Sequence, residues 1–264
     1  MLRGMLRTPG HEIADQPHVD DFAKMLEHLF HDDPAPPMTM PTLTEPPWTM
    51  AELKHAISRL KSKKSGDDLG LVAELLKHSP DDFLNALLLV MREVLTSGNV
   101  PSSWQRTFFK MLPKTKAAKS VSDFRPIANV RLLYKLFAYL MLGRMEDALE
   151  ASQPEEQHGF RQGRRIEEHL LTANVCLQKT VAANTPLWII SLDLSKAFDK
   201  LDWNALWTAL RQHGSSEHLI WILQCVYFGR TGVVREHDTD SCGFNVRGGV
   251  RRDGLVFMAC ENGS

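Results

Sequence analysis

The sequence predicts an α+β protein that is rich in helix and carries a small antiparallel sheet. Apolar residues recur at helical spacing over most of the first two thirds of the 264 residues. Short β-branched runs appear mainly around an acidic segment near residue 193. Hydrophobic residues make up 43% and charged residues 24% of the chain, which are ordinary values for a domain with a buried core.

Helical patterns follow one another along the chain. One begins at Thr49, where Glu52 completes a capping box, and another ends at Gly98. We predict helices over residues 18–30, 49–61, 71–78, 81–98, 131–150, 165–184, 196–213 and 219–229. We predict strands over residues 105–114, 187–192, 232–237 and 243–250, the last two as a hairpin.

Residues 34–47 hold six prolines, which is typical of a linker. We therefore predict three regions: an N-terminal extension with its linker at 1–47, a largely helical region at 48–186, and a third region at 187–264. The four cysteines are far apart and form no CxxC pair, which argues against a zinc module or a disulfide framework. The N-terminus lacks an apolar signal sequence and no apolar run approaches about 20 residues, so we expect an intracellular protein, nuclear or cytoplasmic, without membrane partners.

The formal net charge is −1, but the charge is unevenly distributed. Residues 101–135 carry eight basic residues against one acid, Asp123, whereas residues 1–50 carry three against eight. A local excess of positive charge indicates a surface for phosphates or other polyanions. A solvated basic face explains the same charges.

An acidic side chain, Asp193, follows the apolar run at 187–192. At the end of a central strand a carboxylate meets water and ligands, and Mg²⁺ prefers such oxygens. A local cap or an ion pair is the alternative. Asp199 and Asp202 fall in the first turns of the next predicted helix, where the helix dipole favours negative charge.

Two basic loops are candidates for phosphate contacts. In the first, Lys110, Lys114 and Arg125 flank a loop whose exit is stiffened by Pro126. In the second, at 157–165, two glycines bracket Phe160 and Arg161, so the backbone can approach a phosphate chain closely. A solvated lysine-rich loop and a basic turn before a helix are the structural alternatives.

The blocks "FFKMLPK", "SDFRPIANVRLLYKLFAYLMLGRM", "QHGFRQGRRIEEHL" and "SLDLSKAFDKLDW", in this order, resemble the reverse transcriptases of non-LTR (LINE-type) retrotransposons. The similarity covers residues 48–252, and implies the fingers and part of the palm of a right-hand polymerase. Upstream, the family's Pro-Gly-Pro-Asp-Gly stands here as Ser-Gly-Asp-Asp-Leu. The fingers would correspond to 48–186 and the partial palm to 187–264.

The resemblance implies a role for each matched residue. Asp193 would be the catalytic, metal-binding aspartate, with the carbonyl of Leu194 as a further Mg²⁺ ligand. Lys114 and Arg125 would hold the triphosphate of a dNTP, and Phe198 would reject a ribose 2′-OH. The residues that would follow the backbone of an RNA or DNA template–primer are Gly159, Arg161, Gly163 and Arg164.

The resemblance also implies two-metal transfer of a nucleotide to a primer 3′-OH. The family's aromatic-x-Asp-Asp motif does not follow Asp193 in the 264 residues, and the Gly-Val-Arg motif that begins at Gly249 departs from the family after Arg251, where Arg252 replaces a Gln. We therefore expect a reverse transcriptase truncated in that motif and inactive as this chain alone. The alternatives are a non-enzymatic nucleic-acid-binding remnant, an intron maturase-type reverse transcriptase and a two-metal nuclease.

Overall fold

The computed structural model describes residues 17–31, 36–159, 161, 163–193, 196–236 and 239–250. In this part of the chain nine α-helices occur: α1 Val19–Leu29, α2 Met50–Arg59, α3 Ala73–Lys77, α4 Asp81–Ser97, α5 Ser102–Gln105, α6 Leu132–Ala151, α7 Ile166–Ala183, α8 Trp203–Gln212 and α9 Glu217–Tyr227. The strands are β1 Arg106–Pro113, β2 Phe124–Asn129, β3 Thr231–Glu236, β4 Thr239–Asp240 and β5 Phe244–Asn245.

Local sequence signals set several helix ends. Thr49 and Glu52 form the predicted capping box at the start of α2, and Gly98 ends α4 in the left-handed conformation with φ +68°. The helix predicted from residue 196 begins only at Trp203. Residues 196–200 form turns, and Asp202 caps α8 by accepting a 2.7 Å hydrogen bond from the Ala205 amide.

A helical core joins α2, α3, α4, α5, α6, α8 and α9. Helix α6 lies at its centre, because Leu136, Phe137, Ala138 and Met141 are fully buried and its apolar residues surround the helix axis. The segment that precedes α2, residues 36–49, is bound to this core through α6. Arg144 of α6 stacks over Trp48 at 3.8 Å and donates to the Pro46 carbonyl at 2.6 Å.

The sheet has the order β2-β1-β3-β4, with β5 also on β3. Strand β1 pairs antiparallel with β2 and parallel with β3. The prediction of an antiparallel sheet is therefore wrong in one pairing, and the sheet is mixed. The partners of β1 and β3 lie more than one hundred residues apart, a relationship that no local pattern encodes. A second core lies between one face of this sheet and α1, which contributes Phe22 and Leu26.

The predicted strand at 187–192 is wrong. These residues, with their neighbours from 185 to 193, form no regular secondary structure, and Trp188 is 90% and Ile190 84% exposed. In the described part of the chain both edges of β1 are occupied by β2 and β3, and no strand pairs with 187–192. An apolar, β-branched run becomes a strand only when a neighbouring strand accepts its hydrogen bonds.

Candidate functional site: a cationic sheet face and the turn at Phe198

One face of the β1–β2 hairpin carries three exposed cations. Arg125 pairs with Leu112, and directly opposed residues share a face of the sheet. Lys110 and Lys114 stand two positions to either side of Leu112, so both are diagonal neighbours of Arg125. We call Lys110, Lys114 and Arg125 the cationic face.

The ladder continues into the turn and fixes the position of Lys114. Its amide donates to the Asp123 carbonyl at 2.8 Å, and its ammonium group donates to the Ser122 carbonyl. Hydrogen bonds from the amides of Ser120 and Lys119 lower the pKa of the Asp123 carboxyl, so this acid stays ionised while it holds the turn. The sequence did not predict β2, because Pro126 reads as a loop residue, but β2 is an edge strand and tolerates proline.

The same face continues to an aromatic residue at the other end of β1. The Phe108 ring lies under two guanidinium groups, those of Arg235 at 4.0 Å and Arg106 at 5.0 Å from its centroid. Arg235 also makes a paired contact with Asp240, at 2.6 and 2.7 Å, which lowers the pKa of the Asp240 carboxyl. Positive groups therefore follow β1 along its length, which is about 26 Å for eight residues.

The sequence alone does not mark a second loop, at 65–71, as functional. The Asp67 carboxylate accepts from the amides of Leu69 and Leu71 with one oxygen and from the Leu132 amide, at the start of α6, with the other. Asp68 binds Arg131 through two hydrogen bonds of 3.0 and 2.8 Å, which raise the pKa of this arginine. These bonds hold the loop beside a cleft of about 320 Å³ that Lys64 and Lys135 line.

In the loop at 157–165, Arg161 and Arg164 contact acidic residues of this chain. Arg161 donates to Glu150 at 2.9 and 2.6 Å and to the Pro154 carbonyl at 2.7 Å, and its side chain is 11% exposed. Arg164 lies 3.6 Å from Glu168 in the first turn of α7.

The two glycines of this loop have open surroundings. A Cβ at Gly163 would meet nothing within 4 Å, and a Cβ at Gly159 would meet only Gln157, at 3.8 Å. Gly163 has φ +76°, a conformation that favours glycine. The backbone here is therefore open to close approach, and the template–primer role of Gly159, Arg161, Gly163 and Arg164 stays a prediction.

Asp193 lies at the end of the exposed segment 185–193, with its side chain open to solvent. It does not end a sheet strand as predicted, because 187–192 forms none. Leu194 lies outside the described residues. No group of three or more His, Cys, Asp or Glu side chains that could hold a metal occurs among the residues that the structure describes. The Asp193 carboxylate is an accessible oxygen donor, which suits a hard cation such as Mg²⁺.

Phe198 lies in the turn at 196–200 and is half-buried against the helical core. Its carbonyl accepts a 2.8 Å hydrogen bond from the Val250 amide, and the Gly249 amide donates to Leu201 at 2.9 Å. Trp203 of α8 donates to the Gly249 carbonyl at 2.8 Å. The segment ending at Val250 is thereby fixed against the turn that carries Phe198.

The two other acids of this region have different surroundings from Asp193. The Asp202 carboxylate caps α8 from the position before its first residue, whereas the sequence predicted Asp199 and Asp202 within the first turns of a helix that begins at residue 196. Asp199 lines a small cavity together with Arg230 and Gly249. A two-metal nuclease would need one of these carboxylates beside Asp193, and the capping bond holds Asp202 to its own helix.

Residues 112–250, more than half of the chain, match the family model described as reverse transcriptase (RNA-dependent DNA polymerase). The chain is 25% identical over 207 residues to the Pol polyprotein of the type-1 retrotransposable element R1 of Bradysia coprophila. The matched region is 75% of this chain and 20% of that protein. Against the type-2 element R2DM of Drosophila melanogaster the identity is 25% over 203 residues, covering 73% and 19%. Against the RNA-directed DNA polymerase of the mobile element jockey, also from D. melanogaster, it is 30% over 158 residues, covering 58% and 17%. The chain spans about a fifth of the length of these curated relatives.

Proposed function

Because the chain belongs to the reverse transcriptase (RNA-dependent DNA polymerase) family, we propose that it forms the template- and nucleotide-binding part of an RNA-directed DNA polymerase of a retrotransposon. Residues 48–186 are assigned to the fingers and residues 187–264 to part of the palm. The partners are an RNA or DNA template–primer and a dNTP. Among the described residues no helix is long and apolar enough to span a membrane.

The observation that carries this function is the cationic face of the hairpin. Lys110, Lys114 and Arg125 are exposed on one side of β1 and β2, while the opposite side is buried against α1. Arginine provides a planar fork for phosphate oxygens and lysine a point charge, so the three side chains suit a triphosphate or a nucleic-acid backbone. The hairpin ladder fixes their relative positions before any ligand binds.

Phe198 is assigned to the discrimination of the nucleotide sugar. Its backbone is held by Val250 and its side chain packs on the helical core, so the turn offers a fixed wall rather than a mobile side chain. An aromatic ring in a fixed position excludes a substrate with one additional hydroxyl by contact. This role separates dNTP from NTP and needs no chemistry from the ring.

Asp193 and the carbonyl of Leu194 are assigned to Mg²⁺. The metal would supply Lewis-acid stabilisation of the attacking and leaving oxygens. Two-metal transfer requires further carboxylates beside Asp193, and the sequence does not provide the family's aromatic-x-Asp-Asp motif after it. We therefore expect the polypeptide 1–264 to bind template–primer and nucleotide without extending the primer.

Binding is tested by fluorescence anisotropy with a DNA primer annealed to an RNA template. The chain should bind with an affinity that falls steeply between about 50 and 200 mM salt, because phosphate contacts release counterions. The double variant Lys110→Glu, Arg125→Glu should weaken binding at least tenfold, whereas Lys54→Glu, on α2, should leave it unchanged. Salt-insensitive binding, or equal loss in all variants, would contradict the assignment of the cationic face.

The metal assignment is tested separately by replacing Mg²⁺ with Fe²⁺ and generating hydroxyl radicals, which cleave the backbone beside a bound ion. Cleavage should occur near residue 193, compete with Mg²⁺ and disappear in Asp193→Ala. Unchanged cleavage in that variant would contradict the assignment of Mg²⁺ to Asp193. A primer-extension assay with Mg²⁺ completes the test, since extension that depends on Asp193 would contradict the expected inactivity of 1–264.

A further inference from the structure

The chain between α1 and α2 includes a strap, residues 36–47, which contains no helix or strand and is held to α9 by side chains. The Met38 amide donates to the side-chain oxygen of Gln224 at 3.0 Å, and the Glu45 amide donates to Nδ1 of His218 at 2.8 Å. Most of the strap is exposed, and Leu43 is 86% exposed. Its attachment to α9 therefore depends on a few polar contacts.

His218 is the buried member of this attachment. Only 1% of its surface is exposed, and its ring stacks on Trp221 with a centroid distance of 5.4 Å. Because Nδ1 accepts the Glu45 amide, it carries no proton, and the ring is neutral with its proton on Nε2. A second proton would place an N–H group at Nδ1 directly opposite the N–H group of Glu45. Proton uptake by the ring and its contact with the strap therefore exclude each other.

Charged and polar groups from the strap, α4 and α6 act on the His218 ring. Burial lowers the pKa of His218 below its ordinary value of 6.5, and Arg144 of α6 acts in the same direction. The Glu45 carboxylate and the Leu95 backbone of α4 raise this pKa without outweighing burial. The Glu45 carboxylate is bound by Ser216 at 2.6 Å and by Arg144 at 3.3 Å.

Two further charges lie on the neighbouring elements and are bound to other groups. Glu217, beside His218 in α9, binds Arg211 at 2.9 Å, and Arg92 of α4 donates to the Trp48 carbonyl at 2.7 Å. His218 also lies in the first turn of α9, where the helix dipole disfavours a positive charge. The ring is therefore neutral while the strap is attached.

We propose that His218 is a pH-sensitive switch: the neutral ring holds the strap on α9, and protonation of the ring releases it. Detachment removes the Glu45 amide from Nδ1, so the open state takes up a proton that the closed state excludes. Since the pKa is lowered in the closed state, attachment is favoured above pH 6.5, and opening becomes easier as the pH falls below it, by at most tenfold per pH unit. The strap joins α1, in the core beside the sheet, to α2, in the helical core, so the connection between the two cores depends on pH.

Amide hydrogen exchange, followed by NMR between about pH 7.5 and about pH 5.5, tests the switch. The protection factor is the exchange rate corrected for its intrinsic pH dependence, and it measures how rarely an amide opens. The Glu45 and Met38 amides should lose protection severalfold, and at most about tenfold, over this range. At each pH they should be at least about tenfold less protected than the amide of Ile222, which is fully buried in α9, because the strap opens without unfolding the helix.

The variant His218→Asn separates proton uptake from the hydrogen bond. The asparagine oxygen can take the place of Nδ1 and accept the Glu45 amide, but the side chain binds no proton. Protection of the Glu45 amide should therefore be the same at both ends of the pH range. The matched control is His55→Asn, at an exposed position of α2, which should keep the full pH dependence.

The ring of His218 offers a measurement that needs no variant. In a chain with isotope-labelled histidine, its Nδ1 should remain unprotonated at about pH 5.5, where a histidine in water is mostly charged. Constant protection of the Glu45 amide over the pH range, or the same loss of protection in His218→Asn, would overturn the inference. So would equal protection of the Glu45 and Ile222 amides, because the strap would then open only when the core unfolds.

Discussion

The amide of Val250 donates a 2.8 Å hydrogen bond to the carbonyl oxygen of Phe198, across a chain separation of 52 residues. The neighbouring Gly249 has φ +68°, and a Cβ at this position would lie 2.7 Å from the Asp199 carbonyl oxygen. Two sequence blocks of the candidate site are therefore joined by a backbone contact that leaves no room for a side chain.

Replacing Gly249 by Ala should destabilise the fold by about 2–4 kcal/mol, because left-handed strain and a backbone clash act together. Urea unfolding followed by circular dichroism measures this loss. Gly143→Ala is the control: Gly143 lies inside α6 with nothing within 4 Å of a Cβ, so the change should stabilise by about 0.5–1 kcal/mol. Equal effects at both positions would show that the contact with Asp199 does not constrain the turn.

Phosphate contacts of the cationic face should make nucleic-acid binding depend on the salt concentration. Each lost phosphate contact lowers the slope of log K against log salt by about 0.7–0.9. Lys110→Ala should therefore reduce the slope by about one unit with little change in sequence preference. A parallel shift of the line with an unchanged slope would mean that Lys110 does not contact phosphate.

Asp67 should contribute more to stability than an exposed acid normally does. Its carboxylate accepts hydrogen bonds from the amides of Leu69, Leu71 and Leu132. Asp67→Ala therefore removes a hydrogen bond at the start of α6 together with two that hold the loop at 65–71. We expect a loss of about 1–2 kcal/mol in urea unfolding. Asp147→Ala, at an exposed position of α6, should change stability by less than about 0.5 kcal/mol.

Lowering the pH should remove the contribution of the Glu52 carboxylate to the stability of the fold. Burial raises the pKa of this carboxyl, but hydrogen bonds from Arg144 and Thr49 outweigh it and hold the pKa below the ordinary value of 4.5. A lowered pKa in the folded state means that the ionised form stabilises the fold above pH 4.5, and that this contribution is lost as the pH falls through the folded-state value.

The comparison of Glu52→Gln with the unsubstituted chain checks this sign. The variant should be less stable at pH 7, and the difference should shrink below pH 4.5, where Glu52 itself takes up a proton. Glu93→Gln, at an exposed position of α4, should show no such difference at either pH. A gap between Glu52→Gln and the unsubstituted chain that widens in acid would reverse the assigned direction.

Much of the helical framework was accessible from the sequence. The capping box at Thr49, the glycine that ends α4 and the apolar spacing of α6 are signals within one or two helical turns, and the structure confirms each. The sequence also identified the family, because the family's motifs are short and follow one another in a fixed order along the chain. The match over residues 112–250 confirms this identification. Local chemistry decides such features, so the amino-acid order is sufficient.

Tertiary structure alone decided how distant segments meet. The parallel pairing of β1 with β3 and the contact of Gly249 with the Phe198 turn join segments that no local pattern links. The sequence placed Lys110, Lys114 and Arg125 on either side of one loop, and the pairing of β1 with β2 places them on one face of the sheet. The segment 187–192 shows the converse, because its composition favours a strand while no strand of the described residues pairs with it. Strand formation depends on hydrogen-bond partners elsewhere in the chain, whereas a helix satisfies its own backbone.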